Sequence, residues 1–401
     1  MRHLLLSEEW FPQIGGSINL FDEIYCRRFP PGELVHVLAR DADGAAEIDA
    51  SFPRPVTRFD GRRFQWMRPE SLASYARVLY AASRIIVRDR IDVIHCARVI
   101  PEGVVGLMLH RAMGIPYVVW VHGEEVSMYL RYWAKKTLMP EILSEARAVF
   151  CNSSFSRAKA HAAGARNERL HVINPCVDHS RFRGPFDTDD LRTRLGLEGK
   201  TVLLSVGRLT RRKGHDHVLQ ALARLKRRDV AYVVLSDGEL ESELHAMTRD
   251  LGLEDVVKFV GPVDARELPR FYAAADVFVL ANRTLADGDV EGFGLVFLEA
   301  SAAGLPVLAG RSGGVPDAVN EDVSGLLVDG SVGEIANALE RLMDDPALRQ
   351  RLGREGRQWV RERFSWERAA ERVRAISGAE PASPQAPRRD ATARVDALSI
   401  R

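Results

Sequence analysis

Two short segments of the 401-residue chain hold the residue types best suited to chemistry. The first reads Ser205-Val206-Gly207-Arg208-Leu209-Thr210-Arg211-Arg212-Lys213-Gly214. It follows an apolar run and opens a helical pattern, with Arg208 and Lys213 bracketing the turn. A guanidinium and an ammonium beside a helix N-terminus form a site for a diphosphate. Taken alone, the same turn also reads as a solvated basic loop. The second segment runs from Asp289 to Pro306, where a loop with Glu291, Gly292, Phe293, Gly294 and Leu295 leads into an apolar helix. Glu299 falls on that helix among Leu295, Val296, Leu298 and Ala302, where an acid is costly unless paired or hydrogen-bonded. A salt-bridged helix acid is the plain alternative for Glu299. Carboxylates accept well from sugar and ribose hydroxyls, so Glu291 and Glu299 are candidates for holding a hydroxylated ligand. The amides of Phe293, Gly294 and Leu295 open the helix and can donate to an anion.

Such residues need strand ends and helix starts to hold them. Short apolar runs occur at 3–7, 34–38, 92–95, 117–121, 148–151 and 170–173. A second series occupies 201–206, 231–235, 256–260, 277–280, 306–309 and 326–328. Helix-length segments separate them, which predicts parallel sheets covered on both faces. After Gly214, Val218, Leu219, Leu222 and Leu225 share one helical face, with Arg224, Lys226 and Arg227 outside. The series restarts near 200, after a polar stretch containing Gly184-Pro185. The fold class expected is α/β, with two Rossmann-like doubly wound domains facing across a cleft, and ligands beyond the carboxyl ends of the strands. The expected division is an N-terminal domain over 1–180, a linker over 181–198, a C-terminal domain over 199–360, a helix crossing back over 361–377 and a disordered tail over 378–401.

Composition excludes several classes. Lys plus Arg number 56 and Asp plus Glu 55, so no global field attracts nucleic acid. Cys26, Cys96, Cys151 and Cys176 lie far apart without CxxC spacing, and read as reduced thiols. Acids follow the first three leucines directly, which fits a first strand and not an export tag. No stretch approaches the ~18 apolar residues of a membrane span. The expected location is cytoplasmic, with peripheral contact at the inner face of the cell membrane as a further expectation. Residues 52–68 carry Arg54, Arg58, Arg62, Arg63 and Arg68 with Phe52, Phe59, Phe64 and Trp66 interleaved. Residues 129–136 have the same character. Basic side chains with aromatics at an interface suit an anionic membrane surface, and an arginine-rich loop whose aromatics face the core is the alternative.

The two chemical segments together resemble the family 4 glycosyltransferases, retaining enzymes with two Rossmann-like domains (the GT-B fold). The resembling pattern is Gly207-Arg208, then Lys213-Gly214, and later Glu291 and Glu299 with seven residues between them. Further matches are Asp237-Gly238-Glu239, Gly261-Pro262-Val263, Gly313-Gly314-Val315-Pro316, Gly15-Gly16 and His122-Gly123. The resemblance implies a nucleotide-diphosphate sugar as donor, with the C-terminal domain binding it and the N-terminal domain on the acceptor side. Arg208 and Lys213 would stabilise the leaving diphosphate, helped by amides near Gly15 and Gly16 and at Phe293-Gly294-Leu295. Glu291 would bind sugar hydroxyls and Glu299 the ribose; His122 would sit at the sugar, a packed core histidine being its alternative. The base would lie near Asp237, Gly238, Gly261, Pro262 and Val263. Ser236 stands where a glycine is usual, which leaves GDP and UDP both open as the nucleotide.

Within the family, His122-Gly123-Glu124-Glu125-Val126 and the stretch from Arg283 to Gly292 look most like bacterial phosphatidylinositol mannosyltransferases and relatives making cell-surface glycans. That implies transfer of a hexose, with mannose from GDP-mannose as first choice, to a lipid-linked or glycan acceptor. UDP-sugar-dependent transfer in exopolysaccharide or lipopolysaccharide synthesis is the alternative. No cofactor is expected beyond the donor. Asp41/Asp43, Asp187/Asp189 and Asp287/Asp289 form Asp-x-Asp triplets of the kind that hold a divalent ion, but the basic pair already supplies the cationic function, and no metal is expected. A nicotinamide-dependent oxidoreductase would need Gly-x-Gly-x-x-Gly after the first strand, and Trp10-Phe11-Pro12-Gln13-Ile14-Gly15-Gly16-Ser17 lacks that spacing. A non-catalytic sugar-nucleotide-binding scaffold is the remaining class, and donor turnover separates it.

Overall fold

Apolar, β-branched runs flanked by helical segments fold into two all-parallel sheets in the computed structural model, which describes residues 1–13, 15–60, 69–123, 126 and 133–379. The first sheet holds β1 (Arg2–Ser7), β2 (Leu34–Arg40), β3 (Val56–Phe59), β4 (Val93–Cys96), β5 (Tyr117–Val121), β6 (Ala148–Cys151) and β7 (Leu170–Val172). Its spatial order is β3-β2-β1-β4-β5-β6-β7. The second holds β8 (Thr201–Val206), β9 (Val230–Leu235), β10 (Val257–Gly261), β11 (Val277–Leu280), β12 (Val307–Gly310) and β13 (Gly325–Val328), in the order β10-β9-β8-β11-β12-β13. Both are doubly wound, and the order reverses between β1 and β4 and again between β8 and β11. Strands β4, β5, β6, β9, β11 and β12 are buried along their whole length, as helices on both faces require. On the helix His215–Leu225, Val218, Leu219 and Leu222 are buried while Lys226 lies outside at its C-terminus.

The chain forms two compact units. One comprises residues 1–173 with the segment from Trp366 onward; the other is Asn174–Ser365. Residues 181–198, expected as a linker, instead carry the helix Asp189–Leu195 inside the second unit, where Arg192 donates to the Ala274 carbonyl at 2.8 Å. The helix Trp366–Gly378 packs into the first unit. Arg374 meets Glu33 at 2.9 Å, Arg28 meets Glu367 at 2.9 Å, and Arg147 donates to the Ser377 carbonyl at 2.8 Å. Most of the expected tail, from 380, lies outside the described residues.

A buried hydrogen-bond chain runs through the first unit toward that helix. Trp120 Nε1 donates to the Tyr25 hydroxyl at 2.8 Å, which lies 2.8 Å from His95 Nδ1. His95 Nε2 lies 3.0 Å from His3 Nδ1, and His3 Nε2 lies 3.5 Å from Glu33. An indole can only donate, so the Tyr25 oxygen accepts there and its hydroxyl can donate to His95 Nδ1; His95 Nε2 then donates to His3 Nδ1, and His3 Nε2 faces the Glu33 carboxylate without a hydrogen bond to it. Burial keeps both rings neutral, with His3 lowered to about 4 and His95 lowered well below its ordinary value. Tyr25 sits in a π-helical turn, Asp22–Arg28, that continues the helix Gly16–Phe21.

Strand β3 corrects one expectation. Residues 52–59 belong to the body of the first unit, not to an outward basic face. Arg58 forms a two-point ion pair with Asp49 at 2.7 and 2.8 Å and donates to the carbonyls of Arg40 and Phe11. Arg54 donates to the carbonyls of Phe29 and Glu33. Phe52 packs on Trp10 and Phe11, and Phe59 is buried. A guanidinium fixed by several acceptors has little freedom to serve a membrane. Arg62, Arg63, Phe64, Trp66 and Arg68 lie outside the described residues, as do residues 129–132 of the second patch. Among the described residues no helix is long and apolar enough to cross a membrane, and the four cysteines are buried without a disulfide.

Candidate active site

The loops at the carboxyl ends of β8, β11 and β12 meet where the second sheet reverses order. Three glycines let their backbones approach more closely than any side chain would allow. A Cβ on Gly214 would stand 2.0 Å from the Ala281 carbonyl, one on Gly310 1.9 Å from the Asn282 carbonyl, and one on Gly313 2.1 Å from the Glu291 carbonyl. Gly314 N–H donates to that same Glu291 carbonyl at 2.9 Å. Glu291 is thereby pinned through its backbone before its side chain makes any contact.

Beyond β8, a 3₁₀ turn over Arg211–Lys213 sorts three adjacent cations. Arg211 turns outward to Glu243 at 2.9 Å. Arg212 and Lys213 turn inward, and both donate to Glu291 Oε2, at 2.8 and 2.5 Å. Arg212 also lies 3.4 Å from Asp289. Lys213 is 9% exposed and Glu291 8%. Burial alone would raise the Glu291 carboxyl, but the Lys213 and Arg212 charges overcome it and hold it below its ordinary value. Arg208 is exposed, and its guanidinium makes no hydrogen bond or ion pair among the described residues. The nearby His215 is buried and lowered to about 4, first by desolvation and then by Lys213, so it adds no charge.

Glu299, on the helix Leu295–Ala303, accepts from the Tyr272 hydroxyl at 2.8 Å. Burial raises its carboxyl despite that bond and the Arg181 charge. No salt bridge holds it among the described residues. Gly294 caps the helix at φ +96°, a conformation that favours glycine. The loops that should meet the base are also fixed. Leu209 N–H donates to the Asp237 carbonyl at 2.9 Å, and a Cβ on Gly238 would stand 2.6 Å from Leu209 N and O. Ser236 occupies φ +126°, and its N–H reaches the Gly261 carbonyl at 2.9 Å. The serine thus takes a left-handed backbone conformation that favours glycine, and its N–H ties the turn to Gly261.

His122, Gly15 and Gly16 lie in the first unit. His122 follows β5, is half-buried, and donates from Nε2 to the Ala97 carbonyl at 2.9 Å. Phe21, on the helix that Gly16 opens, meets the His122 ring edge-on at 5.8 Å. Glu124 and Glu125 lie outside the described residues. Asp287 Oδ1 accepts from the Asp289 amide at 3.0 Å, an internal turn bond that orders the loop.

Sequence spacing did not single out Arg212, Asn282, or the Asp216–Arg283 pair. Asn282 Nδ2 donates to Glu291 Oε2 at 3.0 Å. Arg283 forms two parallel bonds to Asp216, both at 2.8 Å, which hold the start of the loop that ends in Glu291. A run of three cations marks Arg212 only weakly, and a lone amide has no signature at all.

Residues 187–359 match the family described as Glycosyl transferases group 1, and residues 32–181 match Glycosyltransferase Family 4. The GDP-mannose-dependent alpha-(1-6)-phosphatidylinositol monomannoside mannosyltransferase of Mycolicibacterium smegmatis is 33% identical over 94% of this chain and 98% of that protein. The D-inositol 3-phosphate glycosyltransferase 1 of Catenulispora acidiphila is 30% identical over 91% of this chain and 87% of that protein. Among solved structures, Anabaena Alr3699/HepE in complex with UDP has a TM-score of 0.78 at 25% identity, covering 94% of this chain and 99% of that one.

Proposed function

The chain belongs to the family 4 glycosyltransferases, and on that premise we propose that it transfers mannose from GDP-mannose, with retention, to an inositol-phosphate lipid. One observation carries the donor half of this reading. Two buried or half-buried cations and a buried carboxylate converge on one point at the carboxyl ends of β8 and β11, the position where doubly wound sheets bind nucleotides. Lys213, Arg212 and the exposed Arg208 would neutralise the diphosphate as the anomeric C–O bond breaks. Glu291 would accept from the sugar hydroxyls, and Glu299, oriented by Tyr272, from the ribose. The acceptor oxygen bonds to the anomeric carbon on the face the leaving phosphate oxygen vacates, and its proton passes to that phosphate oxygen. These cations carry the charge that a divalent ion would otherwise balance, so turnover is expected to survive a chelator. The names of relatives supply the donor and the lipid acceptor; UDP-sugar transfer is the second reading, favoured by the UDP held in the Anabaena neighbour.

Peripheral membrane contact is assigned to the helix Pro69–Asp89. Its outer face exposes Leu72 (71%), Tyr80 (64%), Arg77 and Arg84, an apolar and basic surface suited to anionic headgroups. The test is direct. The full chain is incubated with GDP-mannose or UDP-glucose, with and without a phosphatidylinositol lipid in mixed micelles, and nucleotide release and product anomeric configuration are followed. Acceptor-dependent GDP release with retained α-configuration is the expected result. Tight GDP binding without release under any acceptor would favour the binding-scaffold reading instead.

A further inference from the structure

Glu291 is held by more than its two cations. Lys213, Arg212 and Asn282 all donate to Oε2, at 2.5, 2.8 and 3.0 Å, while Oε1 accepts from no described residue. The two oxygens therefore play different parts. One anchors the side chain, and the other faces whatever enters the site. Among the three anchors only Asn282 is uncharged. It is also the most deeply buried of the three. The residue is 1% exposed, the backbone at Gly310 runs so near its carbonyl that a Cβ there would stand 1.9 Å away, and the next residue, Arg283, donates its N–H to the Arg212 carbonyl at 2.8 Å.

The orientation of the Asn282 amide is set by charge. Turned the other way, its oxygen would face a carboxylate, so the donor nitrogen must point at Glu291. That leaves Oδ1 buried with no donor among the described residues, an arrangement that is costly in a protein interior. A hydrophobic side chain would avoid the cost and lose only the bond to Glu291. That bond is therefore the feature that distinguishes the asparagine here.

We infer that Asn282 is a positioning residue for Glu291: the neutral donor that keeps its carboxylate in place when an incoming diphosphate draws Lys213 and Arg212 toward itself. This rests on the reading above insofar as Glu291 meets the sugar. A diphosphate competes with Glu291 for both cations but has no claim on an amide buried behind the carboxylate. Glu291 Oε1 then stays aimed at the sugar while the charges are redistributed.

The test uses the full chain carrying Asn282→Ala or Asn282→Asp. With Ala, kcat is expected to fall about 30-fold while the affinity for GDP stays within about threefold. With Asp, two carboxylates face each other at high pH, and the donor is restored only when they share a proton. The Asp variant should therefore match the Ala variant near pH 8 and recover relative to wild type as the pH falls toward 6. A merely structural defect would not recover on acidification. Equal loss of GDP affinity and kcat in the Ala variant, or an Asp pH profile parallel to wild type, overturns the inference. If wild type itself transfers nothing, the functional reading fails, and the contact is judged by melting. Asn282→Ala should lower the melting temperature in wild type but not in a Glu291→Ala background; equal shifts in both overturn it.

Discussion

Replacing Glu291 by Gln should separate two properties that active-site substitutions usually damage together. In the resting site the carboxylate neutralises Lys213 at 2.5 Å and Arg212 at 2.8 Å. A phosphate oxygen taking the far side of the Lys213 ammonium would sit ~5 Å from Glu291 Oε2. Repulsion between unit charges at that distance comes to about 1–3 kcal/mol for an effective dielectric of ~20–60. Glutamine removes that repulsion and frees the Lys213 charge, so bare GDP should bind about tenfold more tightly, with each 1.4 kcal/mol worth a factor of ten. Transfer should nevertheless fall at least ~100-fold, because the anionic acceptor for the sugar hydroxyl is gone. The free variant should melt lower than wild type, since the buried Lys213 loses its counter-charge and the half-buried Arg212 keeps only Asp289, and GDP should restore more of the melting temperature than it adds to wild type. Calorimetry with GDP, melting with and without GDP, and steady-state transfer together give the answer. If GDP affinity falls in step with transfer, Glu291 is a nucleotide-site residue and the division of roles between carboxylate and cations is wrong.

Two further substitutions probe the frame. Gly313→Ala would place a Cβ 2.1 Å from the Glu291 carbonyl at φ +54°, so the backbone carrying Glu291 must shift. A cost of about 3 kcal/mol and a fall in kcat of ~10–100-fold are expected, read by thermal melting and transfer kinetics. In the first unit, Glu102 takes the Glu8 amide at 2.8 Å through one oxygen, and burial raises its carboxyl to about 7. The folded protein thus holds this proton more tightly than the unfolded chain does. Its contribution to stability is complete below the unfolded value and is lost as pH rises from about 4.5 through 7. Some 2.5 pH units correspond to about 3 kcal/mol, and Glu102→Gln should flatten that part of the melting-temperature profile.

The fold is largely legible in the sequence because parallel strands covered on both faces must be continuously apolar, and twelve such runs stand out. Strand β3 escapes this rule. It lies at the sheet edge, pairs only with β2, and carries Arg58, whose charge is satisfied by Asp49 and by two carbonyls no local pattern reveals. At the candidate site, residue type and spacing single out Lys213, Glu291 and Glu299, and the structure pairs the first two. The inward turn of Arg212 is not, because a tight 3₁₀ turn decides which of three neighbouring cations faces the carboxylate. Asn282 becomes visible only once β11 is seen to deliver it behind Glu291.

The first unit is not one continuous stretch of polypeptide. Its last helix, Trp366–Gly378, is made only after the whole of Asn174–Ser365, and Arg374 then closes onto Glu33, where the internal line from Trp120 through Tyr25, His95 and His3 terminates. During synthesis, the half of the protein that leaves the ribosome first must wait for the half that leaves second before that acid gains its arginine. A nonsense change soon after Ser365 would therefore injure the beginning of the molecule as surely as its end.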